Sequence, residues 1–591
     1  MIQKIREKLP EIAVILLCMF ILGVGVSLKE GYHMDELLSF ELANAEFNPW
    51  IVPTQPEGRL AKFVHNEIDG ENLGENLGNF IKVVKDVIQN RGDSLLLSYT
   101  ADVYEEPTWI SREQFQDYIY VDNRDDFNYL SVYFNVKDDN HPPVHFMLLH
   151  TMSSLFRGTL QPFMGCAINM LAVAITMGLL MKLGYLLAEA FGMEKQGRLL
   201  GILTALLYGV STGALASVLL IRMYCVMTCL CVALFYCHLK KWQQKEFEHK
   251  NKGLITVTVL GFLTQYFFLF YCLVLAAVTA LLLWCQKRTK ELWIYIRSMV
   301  CAAIIGLVIF PFAILDVFSS ERGVEALGNL SQGLSGYGTR LASFWNILRE
   351  RTFDGELFLL LVVLILCFFW YYGKANKCKP INWKEELSEW GKWMHGKLSY
   401  ILLLIIPLVG YFLLAARMSP YLVDRYIMAL FPFVTLSGTV SVVGIAGYIE
   451  KRTGEKKILA VVCVILVALQ LFGLLEYDGT YLYRGYEAQK QVAEEYADTP
   501  CICVYDGVGY YENLLELAQY EKSLLVTYNQ LESRKETESI EELEEVVLLI
   551  KQNVDTLQIC DLMSQKYGLV LKEELLENSV YGDRICLFER K

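Results

Sequence analysis

The sequence predicts an α-helical polytopic membrane protein of about eleven transmembrane helices, with a large first extracytoplasmic loop and a small C-terminal α/β domain. Three observations predict it. Of the 591 residues 54% are hydrophobic and 13% aromatic, with a mean hydropathy of +0.33, too apolar for a soluble chain of this length. The apolar residues gather into runs long enough to cross a bilayer, separated by short basic stretches. Past residue 475 the runs stop, and polar, acidic sequence with short strand-like pieces takes over. The net charge of −12 sums over compartments and argues against a nucleic-acid partner.

Taken in order, Lys4, Arg6 and Lys8 precede an apolar run from Ile12 to Leu28 with no small-residue cleavage site after it, which reads as an uncleaved anchor with the N-terminus in the cytoplasm. Residues 29–142 then form the extracytoplasmic loop, with helix-like Asn79 to Gln89 and strand-like Tyr129 to Val136. Further spans read at 162–184, 199–220, 223–239, 253–269, 270–285, 299–318, 356–373, 399–416, 425–447 and 458–475. The basic loops Lys240 to Lys252, Lys287 to Arg297, Lys374 to Lys397 and Lys451 to Lys457 all fall on the cytoplasmic side if only one crossing lies between His141 and Arg198. The short run Val144 to Phe156, with its two histidines and two serines, is therefore expected to lie along the outer interface, as a helix within 143–157. The membrane domain is expected over 1–478, and an extracytoplasmic α/β domain over 479–591 with strands at Cys501 to Tyr505, Leu524 to Tyr528, Val546 to Ile550 and Ile585 to Phe588 and helical Tyr510 to Gln519. Asp506-Gly507-Val508-Gly509 reads as a strand-to-helix turn, only superficially a phosphate loop. Of the 16 cysteines most sit in apolar runs as small hydrophobes, with no zinc-type spacing. Cys501, Cys503, Cys560 and Cys586 lie in the polar tail, where spacing alone leaves any pairing open.

Two acidic stretches stand at the aqueous edge of apolar segments, where they add nothing to membrane stability. The first is Tyr32-His33-Met34-Asp35-Glu36, just past the anchor, where a carboxylate could serve as a general base, or an acid pair could cap a helix. The second is Asp138-Asp139-Asn140-His141-Pro142-Pro143, where proline suits the first turn of a helix whose free backbone donors attract anions.

These residues resemble a known family. Met34-Asp35-Glu36 with Asp139-Asn140-His141-Pro142-Pro143-Val144-His145-Phe146 is similar to the Asp-Glu pair and Asp-x-His-Pro-Pro-Leu-Tyr element of glycosyltransferase family 39, the protein O-mannosyltransferase and aminoarabinose-transferase type of the GT-C superfamily. Ile221-Arg222-Met223-Tyr224 looks like that family's Arg-x-Tyr segment. Val144 and Phe146 replace the usual Leu and Tyr and conserve bulk; the likeness spans roughly residues 10–475 and leaves the tail unmatched. The resemblance implies a GT-C-like fold and a sugar carried on a polyprenyl phosphate, transferred with inversion to a cell-envelope acceptor hydroxyl. Asp35 would be the base, with Glu36 beside it. A lipid phosphate is already a good leaving group, so the site needs cations to grip it, and Arg222 and Arg425 are the candidates at external turns, with His141 alongside. Asp139 and Tyr224 would support the acceptor or the site's structure. Glu36, Asp139 and His141 could also bind a hard divalent cation, Mg or Mn, the one cofactor left open. Gln265, Tyr266 and Tyr271 could line a groove for a lipid tail.

The competing class is a lipid or glycan transporter or flippase, which would carry ionisable groups in mid-span. In this chain they cluster instead at the ends of spans, which favours an enzyme working at the interface.

Overall fold

In a computed structural model the described residues are 8–54, 58–70, 73–90, 106–122, 125–249, 251–318, 320–331, 335–353, 383–453, 457–533 and 538–591. The chain divides into two compact units. One gathers Met1–Ser27, Asp139–His145 and Cys166–Thr480, and the other Leu28–Asp138, Phe146–Gly165 and Tyr481–Lys591.

The first unit is a bundle of apolar helices. Eight helices among the described residues are long and apolar enough to cross a membrane: Leu9–Ser27, Pro162–Phe191, Tyr224–Gln244, Phe268–Cys285, Thr289–Ile309, Gly396–Met418, Asp424–Lys451 and Ile458–Leu475. A ninth candidate, expected as one straight span, is a pair, Glu194–Gly209 and Thr212–Leu219, bent by 55°. Ser211 makes the break, ending one helix and capping the next by accepting the N–H of Ala214 at 3.0 Å. The expected span at 253–269 is an 11-residue helix, Lys252–Phe262. The expected span at 356–373 lies outside the described residues.

The packing follows the demands of an apolar solvent. Val308, Leu475 and Phe20 are 75%, 86% and 70% exposed, a placement that suits a helix facing lipid and would be costly against water. Hydroxyls inside the helices bond back one turn, as Thr176, Thr204, Thr228, Thr279, Thr435 and Thr439 do, which satisfies each of them within its own helix. Helices Pro162–Phe191 and Gly197–Gly209 touch through glycine: a Cβ on Gly184 would lie 2.5 Å from the Cα of Gly201.

The second unit is built on a six-stranded sheet of β1 (Trp109–Ser111), β2 (Cys501–Tyr505), β3 (Lys522–Thr527), β4 (Glu545–Ile550), β5 (Leu569–Leu576) and β6 (Arg584–Arg590), in the order β1-β3-β2-β4-β6-β5. The central three strands are parallel, with Cys501 opposite both Ser523 and Val547, and the flanking pairings are antiparallel. Their uninterrupted apolar runs are what a sheet covered on both faces requires. Ile502, Val504, Leu524, Val526, Leu548, Ile550, Met563 and Phe588 form its core. β1 comes from the first loop and β5 has no counterpart in the sequence reading. The stretch Tyr129 to Val136, expected as a strand, is the helix Tyr129–Asn135. Its alternation of apolar and polar residues lost to local capping, because Asn128 accepts the N–H of Ser131 at 3.2 Å. Tyr510 to Gln519 is a 3-10 turn, Gly509–Asn513, followed by one α-turn, Leu514–Leu517. Cys501, Cys503, Cys560 and Cys586 are all free thiols.

Candidate active site

In the helical unit, three side chains selected from the sequence meet directly. The helix Thr212–Leu219 ends and Tyr224–Gln244 begins within four residues, leaving Leu220–Met223 as a break. Asn169, fully buried in the span Pro162–Phe191, holds this break open by donating its side-chain amide to the carbonyls of Val218 at 3.2 Å and Leu220 at 2.7 Å. Arg222 sits in the break and is only 7% exposed. Its guanidinium reaches His141 Nε2 at 3.5 Å, and His141 Nδ1 is 3.0 Å from Asp139 Oδ2. His141 thus stands between the two, one ring nitrogen towards the guanidinium and the other towards the carboxylate. Asp139 thereby holds the ring of His141, and His141 lies against Arg222.

Electrostatics reinforce this order. Burial alone would raise the Asp139 carboxyl, but His141 and Arg222 beside it outweigh burial and hold it below the usual carboxylate range. His145 is fully buried at the start of helix Val144–Leu155; burial, with Arg222 and His141 adding to it, lowers its imidazole to about 3 and keeps it neutral. Pro142 and Pro143 stand just ahead of that helix, and its first residue, Val144, donates its N–H to the carbonyl of Leu263 at 3.1 Å.

Tyr224 carries the site towards the second arginine. Its ring meets Tyr426 edge-on at 5.9 Å, and Tyr426 stacks on Phe267 at 5.1 Å and takes the Tyr411 hydroxyl on its carbonyl at 3.0 Å. Arg425 lies in the 3-10 segment Asp424–Leu430, with its guanidinium 5.4 Å from the Tyr426 ring. Its neighbour Asp424 is paired with Arg351 at 3.3 Å. Sequence reading missed Asp316, buried and accepting the hydroxyl of Tyr266 at 2.6 Å, a pairing across 50 residues. Tyr271, read as a groove residue, is fully buried and stacked on Phe433 at 4.8 Å.

Asp35 and Glu36 belong to the other unit, in the helix Met34–Asn44. His33 caps this helix through Nδ1, which accepts the N–H of Asp35 at 3.0 Å. That nitrogen therefore carries no proton to give the Asp35 carboxylate 3.7 Å away. Asp35 keeps a side chain one-fifth exposed, at 21%, on the first turn of a helix whose dipole favours its charge. Glu36, one residue on, is sealed: it accepts the N–H of His33 at 2.8 Å and the ammonium of Lys29 at 3.0 Å, with neither Glu36 nor Lys29 exposed. Lys29 also donates to the carbonyl of Tyr481 at 2.7 Å, and Tyr581 donates to the carbonyl of Tyr32, also at 2.7 Å, so the tail braces the cap of this helix. Among the described residues no group of three or more His, Cys, Asp or Glu side chains could hold a metal ion, and Glu36 is already committed to Lys29.

Fold and side chains together define a class: a multi-pass α-helical membrane protein with an α/β unit, carrying a buried Asp–His–Arg chain in its helical body. Among solved structures the chain is similar to ArnT from Cupriavidus metallidurans bound to undecaprenyl phosphate, with 10% identity over 76% of this chain and 88% of that one and a TM-score of 0.44. The apo state of the same protein gives 10% identity over 76% and 87%, with a TM-score of 0.39. No family profile and no curated protein sequence matches the chain. Likeness at this level leaves the chemistry to be read from this chain's own residues.

Proposed function

We propose that the chain is an integral-membrane glycosyltransferase that moves a sugar from a polyprenyl-phosphate-sugar donor to an acceptor hydroxyl with inversion. The observation that carries the reading is Arg222, a buried guanidinium oriented by His141 and Asp139 in a break between two membrane helices. A guanidinium held in such a break matches a phosphate's oxygens in pairs. Arg425, brought near by the Tyr224–Tyr426 contact, adds a second positive charge to the same region.

In the reaction, the acceptor oxygen forms a bond to the anomeric carbon as the bond from that carbon to the phosphate oxygen breaks. The bonding pair leaves on the lipid phosphate, whose growing charge Arg222 and Arg425 offset. The acceptor's proton passes to the carboxylate of Asp35. His141 and Asp139 act on Arg222 and touch no reacting atom. Glu36 holds the helix that presents Asp35.

Asp35→Asn tests the base. Replacing the carboxylate keeps the size of the side chain and removes its proton affinity. Transfer by the purified protein is expected to drop by roughly 10²–10⁴-fold, while donor lipid still binds. An Asp35→Asn protein that transfers sugar at the native rate removes Asp35 from this role.

A further inference from the structure

The segment that leads into the helix carrying Asp35 runs along the tail, and all the residues involved belong to one compact unit. Lys29 donates to the carbonyl of Tyr481 at 2.7 Å. Glu30 donates its N–H to the carbonyl of Leu482 at 2.9 Å and accepts the N–H of Gly485 on its carboxylate at 2.6 Å. Tyr32 accepts the hydroxyl of Tyr581 on its carbonyl at 2.7 Å. Between them Gly31 lies so close to the tail that a Cβ there would stand 2.8 Å from Cγ of Tyr486, an approach that only glycine allows without a shift. The next residue, His33, caps the helix Met34–Asn44 through the N–H of Asp35.

Tyr581 is itself firmly held. It sits at the tip of the hairpin joining β5 to β6, where Ser579 Oγ accepts the N–H groups of Tyr581 at 3.1 Å and Asp583 at 3.0 Å, and Gly582 takes a φ of 84°. The tip is pinned to the sheet. Asp583, fully buried, accepts the ammonium of Lys551 at 2.8 Å, and Lys551, just past β4, donates also to Glu512 at 2.7 Å and Asn513 at 2.9 Å. On another side of the tip the N–H of Val580 is taken by the side chain of Gln489 at 3.1 Å. The Tyr581 ring packs beside Tyr483 and Tyr486, with centroids 6.0 and 6.4 Å away. Bonded and packed groups therefore run without a gap from the end of β4 to the peptide that enters the cap of the Asp35 helix.

We propose that the C-terminal sheet sets the position of Asp35, with Tyr581 as the positioning residue; this rests on the reading of Asp35 as the base. A hydroxyl fixed at its own end and bonded to one carbonyl sets the direction of that peptide. The peptide is the one joining Tyr32 to His33, so its direction governs where the His33 ring meets the N–H of Asp35. A base works only within hydrogen-bond reach of the proton it takes, and a displacement of about 1 Å costs on the order of 10²-fold in rate. Tyr581 acts through the cap and touches no reacting atom.

Tyr581→Phe keeps the ring and removes the hydroxyl. In steady-state transfer by the full-length protein, counted per folded molecule, kcat is expected to fall by roughly ten- to a hundredfold while the KM for the donor lipid stays at its native value. Gly31→Ala, which alters no hydrogen-bonding group and pushes the segment off Tyr486, is expected to lower kcat in the same way and serves if Tyr581→Phe fails to fold. In an Asp35→Asn protein, Tyr581→Phe is expected to change the residual rate no further, because the group it positions is already gone. Native kcat in both variants, a rise in KM in place of the fall in kcat, or an equal loss in the Asp35→Asn background overturns the proposal, and an Asp35→Asn protein that has lost transfer then leaves the base standing. Native transfer by Asp35→Asn removes the base and this proposal with it.

Discussion

Two glutamates on one helix are buried by opposite means. Glu36 is neutralised by the Lys29 ammonium 3.0 Å away, whereas Glu41, five residues on, has only the N–H of Ile51 among the described residues. Burial outweighs that one bond and pushes the Glu41 carboxyl well above its ordinary value. In the unfolded chain a glutamate titrates near pH 4.3, while folded Glu41 keeps its proton to higher pH. The stabilising difference is complete below the unfolded value and drains away as pH rises above it, because unfolding then releases a proton. Glu41→Gln, which stays neutral in both states, is expected to flatten the fall in melting temperature between about pH 4 and 8 and to raise it at neutral pH. Equal slopes in the native and Glu41→Gln proteins would mean that Glu41 ionises while folded. At this scale the sequence shows which residue types carry chemistry but little of how they pair. Asp139, His141 and Arg222 are legible because His-Pro-Pro and a lone arginine between apolar runs break the pattern around them. Glu41, Lys29 and Asp316 are not, since their roles arise from partners such as Tyr481, 452 residues from Lys29, and Tyr266, 50 residues from Asp316.

Among the elements, the helix Met34–Asn44 presents Asp35 and is held at its start by the Lys29–Glu36 pair and at its end by Asn135, whose amide donates to the carbonyls of Leu42 at 3.2 Å and Ala45 at 2.7 Å. Removing one member of a buried pair strands the other in a medium that solvates charge poorly. Lys29→Met is expected to destabilise the unit by roughly 3–5 kcal/mol, seen as a lower thermal midpoint of the full-length protein. Adding Glu36→Gln to it should recover part of the loss, because glutamine neutralises the stranded charge and still accepts the N–H of His33. A double variant no more stable than Lys29→Met would show that charge pairing is not what the two residues supply. Strand positions in the tail were legible because four of them are unbroken β-branched or aliphatic runs, and the structure keeps all four within two residues. β5, with Lys572, Glu573 and Glu574 in its middle, is recognisable only from its partner β6, and its register shifts at two places there. The bend at Ser211 was invisible to hydropathy, which counts apolar residues and ignores a cap.

Taken whole, the chain is a multi-pass membrane protein with eight, or nine with the bent pair, candidate spans among its described residues. Composition alone made that class plain, because faces as apolar as those of Leu9–Ser27 and Ile458–Leu475 have no other suitable solvent. What composition could not supply is the use of the buried charge. Arg222, set by His141 and Asp139, is proposed to bind the phosphate of a polyprenyl lipid. Mass spectrometry of lipid copurifying with the full-length protein from membranes reads this directly. The native protein is expected to carry a polyprenyl-phosphate lipid, and Arg222→Ala to carry roughly tenfold less. Equal amounts of that lipid on the native and Arg222→Ala proteins would contradict the claim.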